Sequence, residues 1–306
     1  MTTLKWLASA GLALGMFPAL YADAHCPGNL ASIRPRIIGR SVMVIPVTVN
    51  NSGPYDFVVD TGAQITTIDS SLASALNPTP LGATHVTGIG VYSHAEYGQL
   101  EVLQAGTYSI KKPLILIQDL GQLQKSDAHI RGILGENFLE HFDLFIDYAH
   151  GILCLDDSKQ MQERVKGQHI ALALLPHQER SLPFTQPMII EVQAPGIADQ
   201  PLLLQLDSGV QVPFLFKVGK GLPHLSYVAS SQRHRDSDEV IQAFAVLPPQ
   251  DIQIGGHLFR KIPFMTPVDG GKDIPVKPEV DGVVPTGLFA RVFISYADHF
   301  AVLDPW

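Results

Sequence analysis

The sequence predicts an all-β protein built from two similar lobes, and three observations support that prediction. A segment of the chain returns about 147 residues later, which indicates a duplicated structural unit. The apolar residues fall into short runs rich in Val, Ile, Leu and Phe, as β-strands do. The 26 Gly and 23 Pro residues separate these runs and mark turns, whereas signals for helices are scarce.

The composition fits a folded protein that does not bind nucleic acid. Hydrophobic residues make up 46% of the 306 residues and the mean hydropathy is +0.16, so the chain can build a core and is not disordered throughout. Charged residues are only 16%, and the 21 Lys and Arg against 29 Asp and Glu give a net charge of −8. Nucleic-acid binding draws most of its affinity from a basic surface, so this charge argues against it.

Residues 1–24 are predicted to be a signal peptide. Lys5 supplies the positive start, an apolar stretch follows, and Ala-Asp-Ala at 22–24 is a small-x-small cleavage site. The alternative is an uncleaved membrane anchor, but the apolar stretch is short for a span and contains Gly and Pro. We therefore expect an exported protein, periplasmic or extracellular, that has no membrane attachment once the signal is removed.

Cys26 and Cys154 are the two cysteines of the chain. In an oxidising compartment they are able to form one disulfide, and two buried thiols are the alternative. The sequence has no Cys-x-x-Cys motif, and its 12 His residues lack the spacing of metal ligands. We therefore predict no metal and no other cofactor.

The internal repeat places equivalent strands in both halves of the chain. Each copy has an apolar strand that runs into an Asp-Thr/Ser-Gly triplet, then a glycine-centred hairpin, then a Phe-Ile-x-Tyr-Ala strand. With a boundary near residue 165, the predicted domains are an N-terminal lobe at 25–165 and a C-terminal lobe at 166–306. The matching segments are FVVDTG (57–62) with LQLDSG (204–209), FIDYA (145–149) with FISYA (293–297), and LD (155–156) with LD (303–304).

The individual elements follow from the same apolar patterns. Runs bounded by Gly, Pro, Asn or Asp predict strands, and two segments predict a turn or two of helix. The predicted strands include 42–49, 55–60, 100–103, 114–117 and 145–146, the predicted helices are 70–76 and 137–142, and the predicted hairpins turn at 105–106 and 255–256.

Asp60 and Asp207 are the candidate catalytic residues. Each closes an apolar strand, and Gly62 and Gly209 allow a tight turn directly after it. If the repeats face each other about a pseudo-two-fold axis, the two carboxyl groups meet and share one proton. Such a pair activates a water molecule for attack on a carbonyl carbon and then protonates the leaving nitrogen. The alternative is that both Asp residues only cap turns.

Three motifs resemble those of the aspartic protease superfamily, which includes pepsin-like and retropepsin-like enzymes. They are FVVDTGA at 57–63, ILGENFL at 133–139 and FIDY at 145–148. The resemblance covers nearly all of 40–306, as two retropepsin-like units in one chain. It implies a bilobal pepsin-like fold of two similar β-barrel lobes with a cleft between them. It also implies an aspartic-type endopeptidase that acts on polypeptide substrates as a monomer.

The resemblance also implies roles for residues around the two carboxyl groups. The hydroxyl groups of Thr61 and Ser208 are expected to bond across the lobe interface and, with Gly62 and Gly209, to support the dyad. A hairpin around residues 88–92 takes the place of the flap that covers the cleft. Gly90 and Tyr92 are therefore the expected substrate-binding residues.

The second lobe departs from the family pattern in three places. Val210 follows Asp207-Ser208-Gly209, where the family has Ala, Ser or Thr, and Pro285 stands where the first lobe has Gly135. A charged stretch at 233–239 replaces a glycine-rich flap. These departures support an alternative function, a protease fold that binds peptides with weakened or no catalysis.

Overall fold

The computed structural model describes residues 25–88, 91–174, 187–216, 240–241, 244–267 and 280–306. Strands dominate these ranges, and the α-helices in them have between four and seven residues. The predicted all-β class is confirmed. The predicted signal peptide at 1–24 lies outside the described residues.

The elements up to residue 174 form the first part of the fold. The strands are β1 (Ser32–Ile33), β2 (Arg36–Ile38), β3 (Val42–Val49), β4 (Ser52–Val59), β5 (Thr67–Asp69), β6 (Thr79–Gly88), β7 (Val91–Gln99), β8 (Val102–Ala105), β9 (Tyr108–Lys111), β10 (Leu114–Gln118), β11 (Ile130–Leu134), β12 (Asp143–Asp147), β13 (Ile152–Asp156) and β14 (His169–Ala171). The helices are α1 (Ser70–Leu76), α2 (Gly121–Gln124), α3 (Glu136–Leu139), α4 (Gln160–Arg164) and a 3₁₀ turn at Pro27–Asn29.

The elements after residue 187 follow a similar order. The strands are β15 (Ile189–Gln193), β16 (Leu202–Asp207), β17 (Phe214–Leu215), β18 (Val240–Ile241), β19 (Phe244–Val246), β20 (Gln250–Ile254), β21 (His257–Ile262), β22 (Met265–Pro267), β23 (Gly282–Pro285), β24 (Phe289–Ser295) and β25 (Phe300–Pro305), with a 3₁₀ turn at Thr286–Leu288.

Two of the three sheets each belong mainly to one copy of the repeat. We call residues 36–139 the first unit; their strands form a sheet in the order β7-β10-β5-β11-β4-β3-β8-β9, with β2 beside β3 and β6 beside β7. Strand β18, from the later half of the chain, joins this sheet at its edge beside β7. We call residues 189–288 the second unit; apart from β18, their strands form a sheet in the order β19-β22-β17-β23-β16-β15-β20-β21. In both units the strand that leads to the Asp lies parallel to a later strand, β4 to β11 and β16 to β23.

The third sheet joins equivalent strands from the two halves of the chain. Its order is β1-β13-β12-β24-β25-β14, and Phe145 of β12 lies directly opposite Phe293 of β24. These two Phe residues occupy the same position in the repeat, so a pseudo-two-fold axis passes close to their pairing. A disulfide joins Cys26 to Cys154 of β13, next to the outer strand β1. The lobe boundaries at 25–165 and 166–306 stay a prediction.

The positions of individual elements agree closely with the sequence prediction. The strand at 42–49 and the helix at 70–76 have the expected bounds. The predicted helix at 137–142 is shorter and begins earlier, at Glu136, because Gly135 is still extended and serves as its N-cap. The predicted strand at 55–60 begins at Ser52, because the left-handed residues Asn50 and Asn51 make a tight turn that pairs Ser52 with Val49.

Candidate active site

The ends of β4 and β16 bring Asp60 and Asp207 together. The Asp60 N–H donates to the Leu134 carbonyl at 3.0 Å, which holds the end of β4 against β11. A Cβ atom added to Gly62 would lie 2.3 Å from Oδ2 of Asp207, and one added to Gly209 would lie 2.5 Å from Cγ of Asp60. Each glycine therefore packs against the opposite carboxyl group, where a side chain has no room.

The backbone of each turn orients its own carboxyl group in the same way. The Gly62 N–H donates to Oδ1 of Asp60 at 2.8 Å, and the Gly209 N–H donates to Oδ1 of Asp207 at 2.7 Å. The two carboxyl groups lie close enough for each to shift the pKa of the other. The result is a pair of carboxyl groups held face to face by matching turns.

Thr61 and Ser208 lock the two turns together with four reciprocal hydrogen bonds. The Thr61 hydroxyl donates to the Leu206 carbonyl, and the Ser208 hydroxyl donates to the Val59 carbonyl, both at 2.8 Å. The same hydroxyl oxygens accept from the backbone N–H of the opposite residue, Ser208 to Thr61 and Thr61 to Ser208, both at 3.1 Å. Thr61 and Ser208 are buried, so these bonds fix the separation of the Asp residues without competition from water.

The environment of the two carboxyl groups favours one shared proton. Asp207 is buried, whereas Asp60 is half-buried. Loss of hydration raises the pKa of Asp60 above its ordinary value. Burial and then the negative charge of Asp60 raise the pKa of Asp207 further. The pair therefore holds one proton in common over a range of pH.

Two tyrosines at equivalent positions of the repeat, the half-buried Tyr148 and the buried Tyr296, lie near the dyad. The Tyr148 hydroxyl forms a 2.6 Å hydrogen bond with the Thr286 hydroxyl, and burial followed by the charge of Asp207 raises the Tyr148 pKa. Burial and the nearby Glu136 carboxyl raise the pKa of Tyr296. Sequence reasoning found both tyrosines in the repeated FIDYA and FISYA segments but assigned them no role. Both tyrosines follow the same Phe-Ile segment in the two copies of the repeat, and this recurrence was the signal in the sequence that could have indicated a role.

The predicted flap corresponds to the hairpin of β6 and β7. Gly90 lies outside the described residues, and of Tyr92 the structure describes only the backbone, within β7. Strand β18 pairs with β7 at this point, with Val240 opposite Tyr92. The predicted charged stretch at 233–239 lies outside the described residues.

The two departures from the family pattern that the structure describes leave the Asp207 turn intact. The Val210 N–H donates to the Asp207 carboxyl group, which lowers the Asp207 pKa and partly offsets the effect of burial. Pro285 is buried at the end of β23, in register with Asp207. Val210 thus contributes to the binding of the carboxylate through its backbone, although its side chain offers no hydroxyl.

The described residues form neither a metal-binding cluster nor a membrane-crossing helix. Across the described ranges, no three or more His, Cys, Asp or Glu side chains are grouped so that they could hold a metal ion. None of the helices in the same ranges has the length and the hydrophobicity that crossing a bilayer requires.

Comparison with known proteins finds a family match in the first half of the chain. Residues 45–138 match the family model described as aspartyl protease, so the predicted resemblance to the aspartic protease superfamily is confirmed over these residues. A retropepsin-like aspartic protease from Rickettsia conorii is similar in structure over 41% of this chain and 86% of its own, with 23% sequence identity and a TM-score of 0.30. No curated protein matches the chain significantly.

Proposed function

Starting from the match of residues 45–138 to the aspartyl protease family, we propose that the chain is an exported aspartic endopeptidase that uses Asp60 and Asp207. A protease-type function is supported by the family match itself. The observation that carries the finer proposal is the reciprocal packing of each triplet glycine against the opposite carboxyl group. Both carboxyl groups come from one chain, which supports a monomeric enzyme with a polypeptide substrate.

The mechanism follows from the single proton that the pair holds. Ionised Asp60 accepts a proton from a water molecule while the water oxygen attacks the carbonyl carbon of the scissile peptide. Asp207 donates its proton to the carbonyl oxygen, which gives a tetrahedral diol. The proton now on Asp60 passes to the amide nitrogen as the C–N bond breaks, and a diol hydroxyl returns a proton to Asp207. The products are a carboxylic acid and an amine, and the dyad regains its single proton.

The direct test is cleavage of a peptide library by the protein without residues 1–24, between pH 3 and pH 7. We expect internal peptide bonds to be cut, ¹⁸O from labelled water to appear in the new carboxyl group, and a statine-type transition-state analogue to inhibit the reaction. The Asp60→Asn, Asp207→Asn double variant is the control for contaminating proteases. Cleavage that persists in this double variant would contradict the proposal.

The alternative, a peptide-binding protein with little or no catalysis, has its support in Pro285. This residue has no N–H, whereas the N–H of Gly135, its equivalent in the first unit, donates to the Thr66 hydroxyl at 3.1 Å. The alternative predicts that library peptides bind, with a Kd measurable by calorimetry, but stay intact over the whole pH range.

Export is proposed from the sequence and is supported by the pairing of the cysteines. Residues 1–24 have the features of a signal peptide, and Cys26 and Cys154 form a disulfide, as in proteins of oxidising compartments. Fractionation of expressing cells, with the N-terminus of the mature protein sequenced, tests this point. Recovery of the protein in the cytoplasm with Met1 retained would contradict it.

A further inference from the structure

Gln205 makes a hydrogen bond to the opposite unit that the repeat does not duplicate. It lies on β16, two residues before Asp207, and is half-buried. Its Nε2 donates to the Thr61 carbonyl at 3.1 Å. This bond is additional to the four reciprocal bonds of Thr61 and Ser208.

The carbonyl that Gln205 binds belongs to the peptide that orients Asp60. The oxygen of the Thr61–Gly62 peptide accepts from Gln205, and the N–H of the same peptide donates to Oδ1 of Asp60 at 2.8 Å. A donor on the carbonyl side of a peptide polarises the group and strengthens its N–H as a donor. Gln205, the peptide and the Asp60 carboxylate therefore form one continuous chain of hydrogen bonds.

The equivalent position in the first unit provides no such donor. Val58 lies two residues before Asp60, is buried, and packs with Val42, Val44 and Ile130. Its side chain has no polar atom, so the Ser208–Gly209 peptide receives no matching bond from position 58. The peptide that donates to Asp60 thus has a hydrogen bond from Gln205, whereas the peptide that donates to Asp207 has no equivalent bond from Val58.

We propose that Gln205 is a positioning residue that fixes the Thr61–Gly62 peptide and so makes Asp60 the member of the pair that ionises and acts as base. This inference deepens the proposed function and rests on it. The other ionisable groups near Asp60 are Asp207, at the end of β16, and Tyr296, after β24. Tyr148, after β12, is close to Asp207. The tyrosines occupy equivalent positions in the repeat but have different neighbours, the Thr286 hydroxyl beside Tyr148 and the Glu136 carboxyl near Tyr296. Gln205 is the asymmetric side chain that binds the peptide donating to Asp60.

The test compares Gln205→Met, which keeps the approximate volume but removes the donor, with the parent protein. We expect the acidic limb of the pH profile of kcat/KM to move up by about half a pH unit, since a weaker Gly62 N–H bond stabilises the Asp60 carboxylate less. Carbon-13 NMR of the Asp60 carboxyl group must show the same shift. This second readout is independent of peptide cleavage, so it distinguishes failure of this inference from failure of the proposed function.

Gln124→Met is the matched control. Gln124 is also half-buried, and its Nε2 donates to the Ile130 carbonyl at 3.0 Å, at the end of β11 that lies away from Asp60. The control must leave both pH limbs in place, whatever its effect on Tm. If Gln205→Met lowers Tm as the control does but leaves the Asp60 titration unchanged, Gln205 is only structural and the inference is overturned.

Gln205→Glu covers the case in which Gln205→Met does not fold. An ionised glutamate has no donor for the Thr61 carbonyl and adds negative charge near the pair. It must shift the Asp60 titration in the same direction and by more than the Met variant. An unchanged titration in this variant would likewise overturn the inference.

Discussion

The two units have the same turn around the catalytic carboxyl group, but the neighbouring strands, β11 and β23, end in different ways. In the first unit Gly135 leads into α3, and a Cβ atom at this position would lie 2.7 Å from the Ala63 carbonyl oxygen. In the second unit Pro285 leads into the 3₁₀ turn at Thr286–Leu288. The atoms that touch the dyad are thus duplicated, whereas the supporting structure behind them has diverged.

The difference extends to the side chains that support the turn. In the first unit Asn137 accepts from the Thr66 N–H at 2.7 Å and donates to the Leu114 carbonyl at 2.8 Å. Gly287 takes the place of Asn137 in the second unit and offers no side chain for such bonds. A pair of carboxyl groups therefore requires matching geometry only in the atoms that hold them. The backbone groups at the strand ends behind these atoms find hydrogen-bond partners in different ways in the two units.

The largest expected effect is the loss of cleavage on removal of either carboxyl group. Asp60→Asn and Asp207→Asn should each reduce kcat by about 10²- to 10⁴-fold, the range for loss of a general acid or base. The reductions should be similar, since one proton cycle needs both groups. Steady-state kinetics, with circular dichroism to verify folding, measures the effect. Full activity in either variant would show that the two units do not share one site.

The next effect tests the reciprocal packing of the glycines. Gly62→Ala and Gly209→Ala each push a methyl group into the opposite carboxyl group, and we expect a loss of about 10²-fold in kcat from the displaced geometry. Gly256→Ala is a control for substitution of a turn glycine, since its nearest neighbour is Oε1 of Gln168 and not the dyad. A loss of kcat in only one of the two triplet variants would contradict the reciprocal packing of the two glycines.

The contrast between Gly135 and Pro285 should appear in stability. Gly135→Pro removes the N–H that binds the Thr66 hydroxyl and creates a clash with Ala63, so we expect a loss of about 3 kcal/mol in the free energy of unfolding. Pro285→Gly should cost only about 1 kcal/mol, mainly because the unfolded chain gains freedom. Urea denaturation measures both values. Equal losses would mean that the two strand ends are supported alike.

The smallest effect concerns the dependence of stability on pH. Because the pKa of Asp207 is raised on folding, ionisation favours the unfolded chain as the pH rises from the ordinary Asp value of about 4 toward the folded value. Asp207→Asn removes this penalty and should raise Tm at pH 7 by about 2 to 4 °C, the shift that ~1 kcal/mol produces in a protein of this size. Asp60→Asn should raise it less. Below about pH 4 the gain should vanish, and a gain that persists there would contradict the assignment.

The meeting of the two Asp residues could be predicted from the sequence, but the bonds that cross between the units could not. An internal repeat with a triplet at the same position in each copy predicts two equivalent strand ends. Asymmetric contacts such as Gln205 with Thr61 depend on how the units dock, and a single Gln in an apolar strand gives no sign of its partner. The pairing of β18 with β7 could not be predicted for the same reason. It joins segments about 150 residues apart and depends on how the two units dock.

The most direct test of the account is a carbon-13 NMR titration of the Asp60 and Asp207 carboxyl groups, assigned with the single Asn variants. We predict two well-separated steps, with Asp60 ionising first, and a fall in the Asp207 pKa when Asp60→Asn removes the neighbouring charge. Two independent titrations near the ordinary Asp value of about 4, unaffected by substitution of the other residue, would contradict the claim that the units hold one proton between them.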